Sequence, residues 1–203
     1  YGAEGFEVVR TEAVGPKIGN ELQQRALLAI LLSFLLTLIY LAFRFEWRFG
    51  VAAVIATLHD IIVALGFISI FRLEVSIPTV AAVLTIIGYS LNDTIIVFDR
   101  IRENLKKSRR DDYIVVLNRS INETLPRTIM TSGTTLVVLL ALFLLGGPII
   151  RDFALILILG IIVGTYSSIF VASPALLEIE NRTGDTTTGT GKAAPRTRAA
   201  AEV

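Results

Sequence analysis

The chain has 203 residues, 53% of them hydrophobic and 18% charged, with a mean hydropathy of +0.68 and a formal net charge of +1. A soluble domain carries about 25% charged residues, so this composition excludes an ordinary water-soluble globule. With no cysteine and a single histidine, it also excludes a disulfide framework, a thiol nucleophile and a multi-histidine zinc site built from this chain alone.

In chain order, Phe6-Glu7-Val8-Val9-Arg10-Thr11-Glu12 alternates loosely and reads as a short strand. One strand is not stable alone, so residues 1–16 are expected to be the end of a truncated α+β domain. The sequence starts at Tyr1 rather than Met, with no signal-peptide pattern before its apolar segments, and reads as a piece of a larger polypeptide. Val14-Gly15-Pro16 then turns the chain into 17–24, the polar start of a first helix. A hydrocarbon core about 30 Å thick needs about 20 apolar residues at helical rise. Five segments qualify, at 26–43, 51–71, 78–98, 128–145 and 153–173, within a membrane domain expected to run from 17 to 180. The fold class is an all-α polytopic membrane protein, with short connections joining antiparallel neighbours.

The connection at 99–127 is the long one. Asp99-Arg100-Ile101-Arg102-Glu103-Asn104 carries the third helix past the headgroups. Asp111 and Asp112 are placed to cap a further helix, on which Ile114, Leu117, Ile121 and Leu125 form an apolar stripe. Such a helix lies on the membrane or against the bundle. Pro126 suits the first turn of the next span, where its missing N–H costs nothing. Residues 181–203, rich in Thr, Gly and Ala without periodicity, read as a disordered tail. Five basic residues fall on the N-terminal side of the spans and fourteen on the other, which marks the latter as cytoplasmic.

The chemistry is expected where charge enters lipid. Asp93 stands inside the third segment, in Gly88-Tyr89-Ser90-Leu91-Asn92-Asp93-Thr94. A carboxylate there costs about 2.5–3.5 kcal/mol on insertion scales, so it marks a functional site by default. Helical rise from Pro78 puts it about 22 Å along, between the midplane and the inner edge. Arg127 opens the next span from that edge, and its side chain either snorkels outward or turns inward towards Asp93. The inward geometry makes a switchable ion pair, since a guanidinium keeps its charge while a carboxylate gains or loses a proton. Outward, it only anchors its helix in phosphates.

His59 and Asp60 lie in the second segment, on directions about 100° apart around a helix. They read either as part of a proton path or as a packing hydrogen bond between helices. His59 is free to donate to a backbone carbonyl, and its ordinary pKa lies near neutrality. Thr128, Thr131, Ser132 and Thr135 share one face at the start of the fourth span, and join Asn92 beside Asp93 as candidates for the path. Their hydroxyls relay a proton, hold water, or bond back to their own backbone. Gly160, Gly164 and Ser168 form a small-residue stripe for close helix approach, and Gly88 and Ser90 likewise thin the helix beside Asp93.

Together these stretches resemble the SecF family, the smaller subunit of the bacterial SecDF accessory complex of protein translocation. The resemblance rests on Val14-Gly15-Pro16, Tyr40 with Arg44-Phe45-Glu46, His59-Asp60, the Gly88–Thr94 run and Val97-Phe98-Asp99-Arg100-Ile101-Arg102-Glu103-Asn104. Arg127-Thr128, Thr131-Ser132 and Gly164-Thr165-Tyr166-Ser167-Ser168 complete it, over roughly residues 14 to 174. It implies five spans of an RND-type bundle after a truncated periplasmic domain, in the bacterial inner membrane, with the N-terminal segment outside and the tail inside. It further implies a SecD-like partner, a SecY-containing channel, an unfolded exported polypeptide as the substrate, and surrounding lipid but no nucleic acid. The positions matching Asp93 and Arg127 are the family's proton-path residues, so the coupling ion is a proton, with sodium as the alternative, and no cofactor or metal is implied. The competing readings are an RND-type exporter of small molecules or lipids and a purely structural subunit. An enzyme is not expected, because no nucleophile–base constellation is present.

Overall fold

The computed structural model describes residues 16–44, 46–108 and 111–183. The strand expected at 6–12, its outer domain, and the tail beyond 183 lie outside the described residues. The elements are α1 (Pro16–Arg44), α2 (Trp47–Ile70), α3 (Ile77–Lys107), α4 (Tyr113–Leu145) and α5 (Pro148–Ser167), then a π-helical turn (Ser168–Ala172) and α6 (Ser173–Thr183). Among the described residues five stretches are long and apolar enough to cross a membrane: Gln23–Leu41, Trp47–Ile70, Ile77–Lys107, Tyr113–Leu145 and Ile150–Thr183. No strand occurs among the described residues. The protein is an all-α polytopic membrane protein.

Burial separates centre from flank. In α2, α3 and the α5–α6 stretch 44% of the membrane window is buried, against 11% in α1 and 17% in α4. The reason is side-chain size: Ala52, Ala53 and Ala56 on α2 and Ala82 on α3 let backbones come close. By contrast, α1 turns Leu28, Leu32 and Leu36 outward, a surface suited to lipid or another helix. Two apolar clusters fill the centre. One gathers Phe49, Phe98, Ile101, Leu117 and Leu176; the other gathers Ile61, Ile68, Ile86, Leu139 and Ile156. The buried polar residues Asp60, Ser90, Thr128 and Ser167 fall between them along the helices, and Asp93 lies just inside the first cluster's stretch of α3.

The region 113–145 differs from expectation. It is one continuous 33-residue helix with Pro126 inside it, not a surface helix followed by a new start at the proline. Asp112 is the N-cap residue, but its side chain makes no capping bond. The buried face carries Val116, Leu117, Ser120 and Thr124, while Ile114 is 52% exposed. An apolar stripe alone misplaced this face because two of its members are hydroxyls that bond backbone carbonyls one turn back: Ser120 to Val116 and Thr124 to Ser120. The lower half of α4 therefore packs on the bundle through Asn104, which donates to Ser120 Oγ at 3.0 Å and to Glu123 Oε2 at 2.8 Å. Arg100 Nε reaches the same Glu123 oxygen at 2.6 Å. Because Asn104 is only 2% exposed, Asn104→Ala is expected to cost about 1–3 kcal/mol by stranding its partners. A lowered thermal unfolding midpoint of the purified full-length protein checks this; an unchanged midpoint contradicts it.

Two helix ends have clear local causes. After α2, Arg72 takes φ 52°, and its N–H and that of Leu73 bond the carbonyls of Ser69 and Ile68, a Schellman close without glycine. The π turn precedes Pro174, which has no N–H and would clash with the carbonyl four residues back in an unbroken α-helix. Ser173 Oγ donates to the Ser168 carbonyl at 3.2 Å across this turn. α6 is then held to the start of α2 by Arg48 and Glu180, 2.7 Å apart and mostly buried.

Candidate functional site

α2 presents Asp60 to the centre of the bundle, where it is 1% exposed. An ionised carboxylate in such a place is costly unless donors surround it. Ser90 of α3 and Ser167 of α5 both donate to Asp60 Oδ2, the second at 2.7 Å. His59 Nδ1 lies 2.9 Å from Asp60 Oδ1, with the histidine side chain 36% exposed. His59 thus turns to its neighbour rather than to a backbone carbonyl, and the expected divergence of the two side chains is overcome by this bond. Three helices meet at one carboxylate.

Asp93, one turn further along α3 than Ser90, is equally buried at 1% exposure. Its surroundings are the opposite: neither oxygen has a hydrogen-bonding partner. Thr128 Oγ1 on α4 is also buried without a partner. Besides burial itself, the groups that act on the charge of Asp93 are the Ser132 hydroxyl and then the Arg127 guanidinium. Ser132 is near enough to act, yet lacks hydrogen-bond geometry to either oxygen. Arg127 is exposed on α4 and acts through space. The expected Asp93–Arg127 pair is therefore open in this conformation, without contact.

The other candidates divide. Ser132 joins Thr165 of α5 at 2.7 Å and receives a longer bond of 3.4 Å from Tyr89 of α3. Thr131 and Thr135 instead bond back to the carbonyls of Arg127 and Thr131, at 2.9 and 2.8 Å. Asn92 is exposed, unlike the buried Asp93 beside it. Gly160 and Gly164 lie where α5 crosses α3: a Cβ at Gly160 would run into Ile86, and one at Gly164 would come within 3.1 Å of Ser90 Cβ. Ser168 is fully buried and bonds the Thr165 carbonyl. A Cβ at Gly88 would meet nothing within 4 Å, so this glycine thins no contact inside the chain. Sequence reasoning passed over Ser167, Thr165 and Tyr89. They stand in the Gly88–Thr94 and Gly164–Ser168 runs that carry the family resemblance, but nothing within those runs marks them out. Among the described residues no three His, Asp or Glu side chains gather as a metal site requires.

A sequence profile described as "Protein export membrane protein SecD/SecF, C-terminal" matches residues 2–182. The chain belongs to the SecD/SecF family. A protein translocase subunit SecF from Gemmatimonas aurantiaca is 57% identical over 183 residues, covering 90% of this chain and 55% of that protein. A SecDF from Thermus thermophilus is 54% identical over 175 residues, covering 86% of this chain and 24% of its own length. The crystal structure of a Thermus SecDF superposes with a TM-score of 0.79 at 55% identity, over 83% of this chain and 24% of that one. A second crystal structure, of SecDF in a super-membrane-facing form, gives 0.76 at 51% identity, over 85% and 23%. The chain thus spans about half the length of the SecF relative and about a quarter of the SecDF chains.

Proposed function

We propose that this chain acts in a bacterial inner-membrane complex that assists export of unfolded polypeptides through a SecY-containing channel, driven by the proton gradient. The observation that carries the reading is Asp93: a buried carboxyl on a membrane span whose two oxygens have no partner, in a chain of a protein-export family. A SecD-like subunit is the proposed partner, supported by relatives named SecDF that contain a region matching this chain. With basic residues setting the orientation, the segment before α1 faces the periplasm and α6 the cytoplasm.

In this reading Asp93 takes a proton from the outside and releases it inward, with Arg127 governing which charge state is favoured. The open pair is one of two arrangements; approach of Arg127 stabilises the carboxylate, and withdrawal accompanies its protonation. Each charge moved through the field supplies about 2.3 kcal/mol per 100 mV. That biases two bundle conformations by more than tenfold, and α1 carries the change to the outer segment. Arg127→Met is expected to move the pH dependence of export stimulation while leaving the amount of complex unchanged. A parallel loss of complex would reduce Arg127 to a headgroup anchor. Proton flux into liposomes holding the whole complex tests the coupling itself, and its absence under an imposed gradient overturns the proposal.

A further inference from the structure

The Asp60 cluster joins three helices at one carboxyl, yet the proton step described above does not use it. Its geometry is that of a clamp. The Ser90 hydroxyl donates to Asp60 from α3, and the Ser167 hydroxyl donates to the same oxygen from α5. Ser90 is three residues before Asp93, so both project from neighbouring positions on one side of α3. The Ser90 carbonyl also receives Thr94 Oγ1 at 3.1 Å, which ties the segment carrying Asp93 to the clamped residue. Gly164 completes the arrangement, since its missing side chain is what lets α5 reach Ser90.

We infer that Asp60 is a positioning residue for Asp93: through Ser90 it sets the rotation of α3, and through Ser167 it links that rotation to the π turn of the last span. A carboxylate suits this task better than an apolar contact. It accepts from two helices at one atom, and in low dielectric each such bond resists displacement. Ser167 is the last residue before the π turn, so a change of winding there acts directly on the clamp. Asp60 has its donors in place; Asp93 has none. The two acids hold different offices. The inference rests on the reading of Asp93 as the titrating group.

The charged and titratable groups around the pair are few. Among the described residues these are His59 on α2, the Tyr89 phenol that bonds Ser132, and Arg127 on α4 acting on Asp93 from the surface. α1 has no charged residue between 26 and 43, and the charges of α5, Arg151 and Asp152, lie in its first turn, far from Ser167. The serine variants change no charge, so a shift they cause in the titration of Asp93 is a shift in its placement, whereas Asp60→Asn also alters a neighbouring carboxyl.

The test uses the full-length protein assembled with its partner in proteoliposomes. A hydrophobic carbodiimide, which modifies protonated carboxyls within the membrane, is applied across a pH series, and modification of Asp93 is quantified by mass spectrometry. Ser90→Ala, Ser167→Ala and Asp60→Asn are expected to move the half-maximal pH by about half a unit or more, roughly threefold in proton concentration. Thr85→Ala, which removes a hydroxyl on α3 that bonds only its own helix, should leave it in place. Identical profiles for wild type, Ser90→Ala and Ser167→Ala overturn the inference, and both serine variants keep Asp60 itself intact. Labelling of Asp60 with the same pH dependence as Asp93 overturns it too, because Asp60 would then be a carrier. Neither outcome touches the export reading, which stands or falls on stimulation measured separately.

Discussion

Asp93→Asn is expected to abolish proton-dependent stimulation of export while the complex assembles in normal amount. The asparagine keeps the shape of the side chain but has no ionisable proton, so the bundle loses the group whose charge the gradient would move. The neutral side chain does not disturb existing bonds, because neither Asp93 oxygen makes one. The expected loss is complete rather than partial: without a titrating group the contribution of about 2.3 kcal/mol per 100 mV disappears. Export into membrane vesicles, measured with and without an imposed gradient, reads the effect directly. An Asn variant that responds to the gradient like the wild type would falsify the proton role, and the family assignment would be unaffected.

The second large effect is steric. Gly160→Ala is expected to destabilise the protein even though alanine is the better helix former by roughly 1 kcal/mol. The added Cβ lands on the branched side chain of Ile86, which is itself 1% exposed and enclosed by the second apolar cluster. Overpacking of this kind costs about 1–3 kcal/mol, enough to outweigh the gain, and Gly160→Val deepens the loss. Gly66→Ala is the matched comparison, since nothing lies within 4 Å of its new atom. There the sign reverses or the effect vanishes. Thermal unfolding of both variants decides it, and Ile86→Ala combined with Gly160→Ala should cost less than the two changes summed. If the two glycine variants unfold together, the close approach of α5 to α3 is wrong.

How much of this was readable beforehand depends on how local each cause is. The five apolar segments are local, because a span must satisfy its backbone and bury its length whatever its neighbours do. Asp93 was legible for the same reason: its cost in lipid exists before any partner is known. The continuity of α4 through Pro126 was not. A proline ordinarily marks a helix start, and here the bonds of Asn104 and the packing of Leu117 hold the segment below it in line. The role of Ser167 was hidden because it depends on a residue 107 positions away. Within Thr165-Tyr166-Ser167-Ser168 nothing local distinguishes Ser167, which reaches Asp60 as well as the Gly164 carbonyl of its own helix, from Ser168, which bonds back to the Thr165 carbonyl. Arg127 shows the remaining limit: sequence placed it within reach of the charge of Asp93, but whether it turns inward depends on a rotamer and a state of the bundle.

That distance of 107 residues between Ser167 and Asp60 also bears on how the chain is made. During synthesis the second span enters lipid long before the fifth emerges, so its acid must wait with one hydroxyl from α3 and none from α5. The insertion penalty of about 2.5–3.5 kcal/mol therefore weighs on the half-born protein, and lifts only when the last span arrives to close the knot. Birth order, rather than hydrophobicity alone, makes α5 the span that seals α2 and α3.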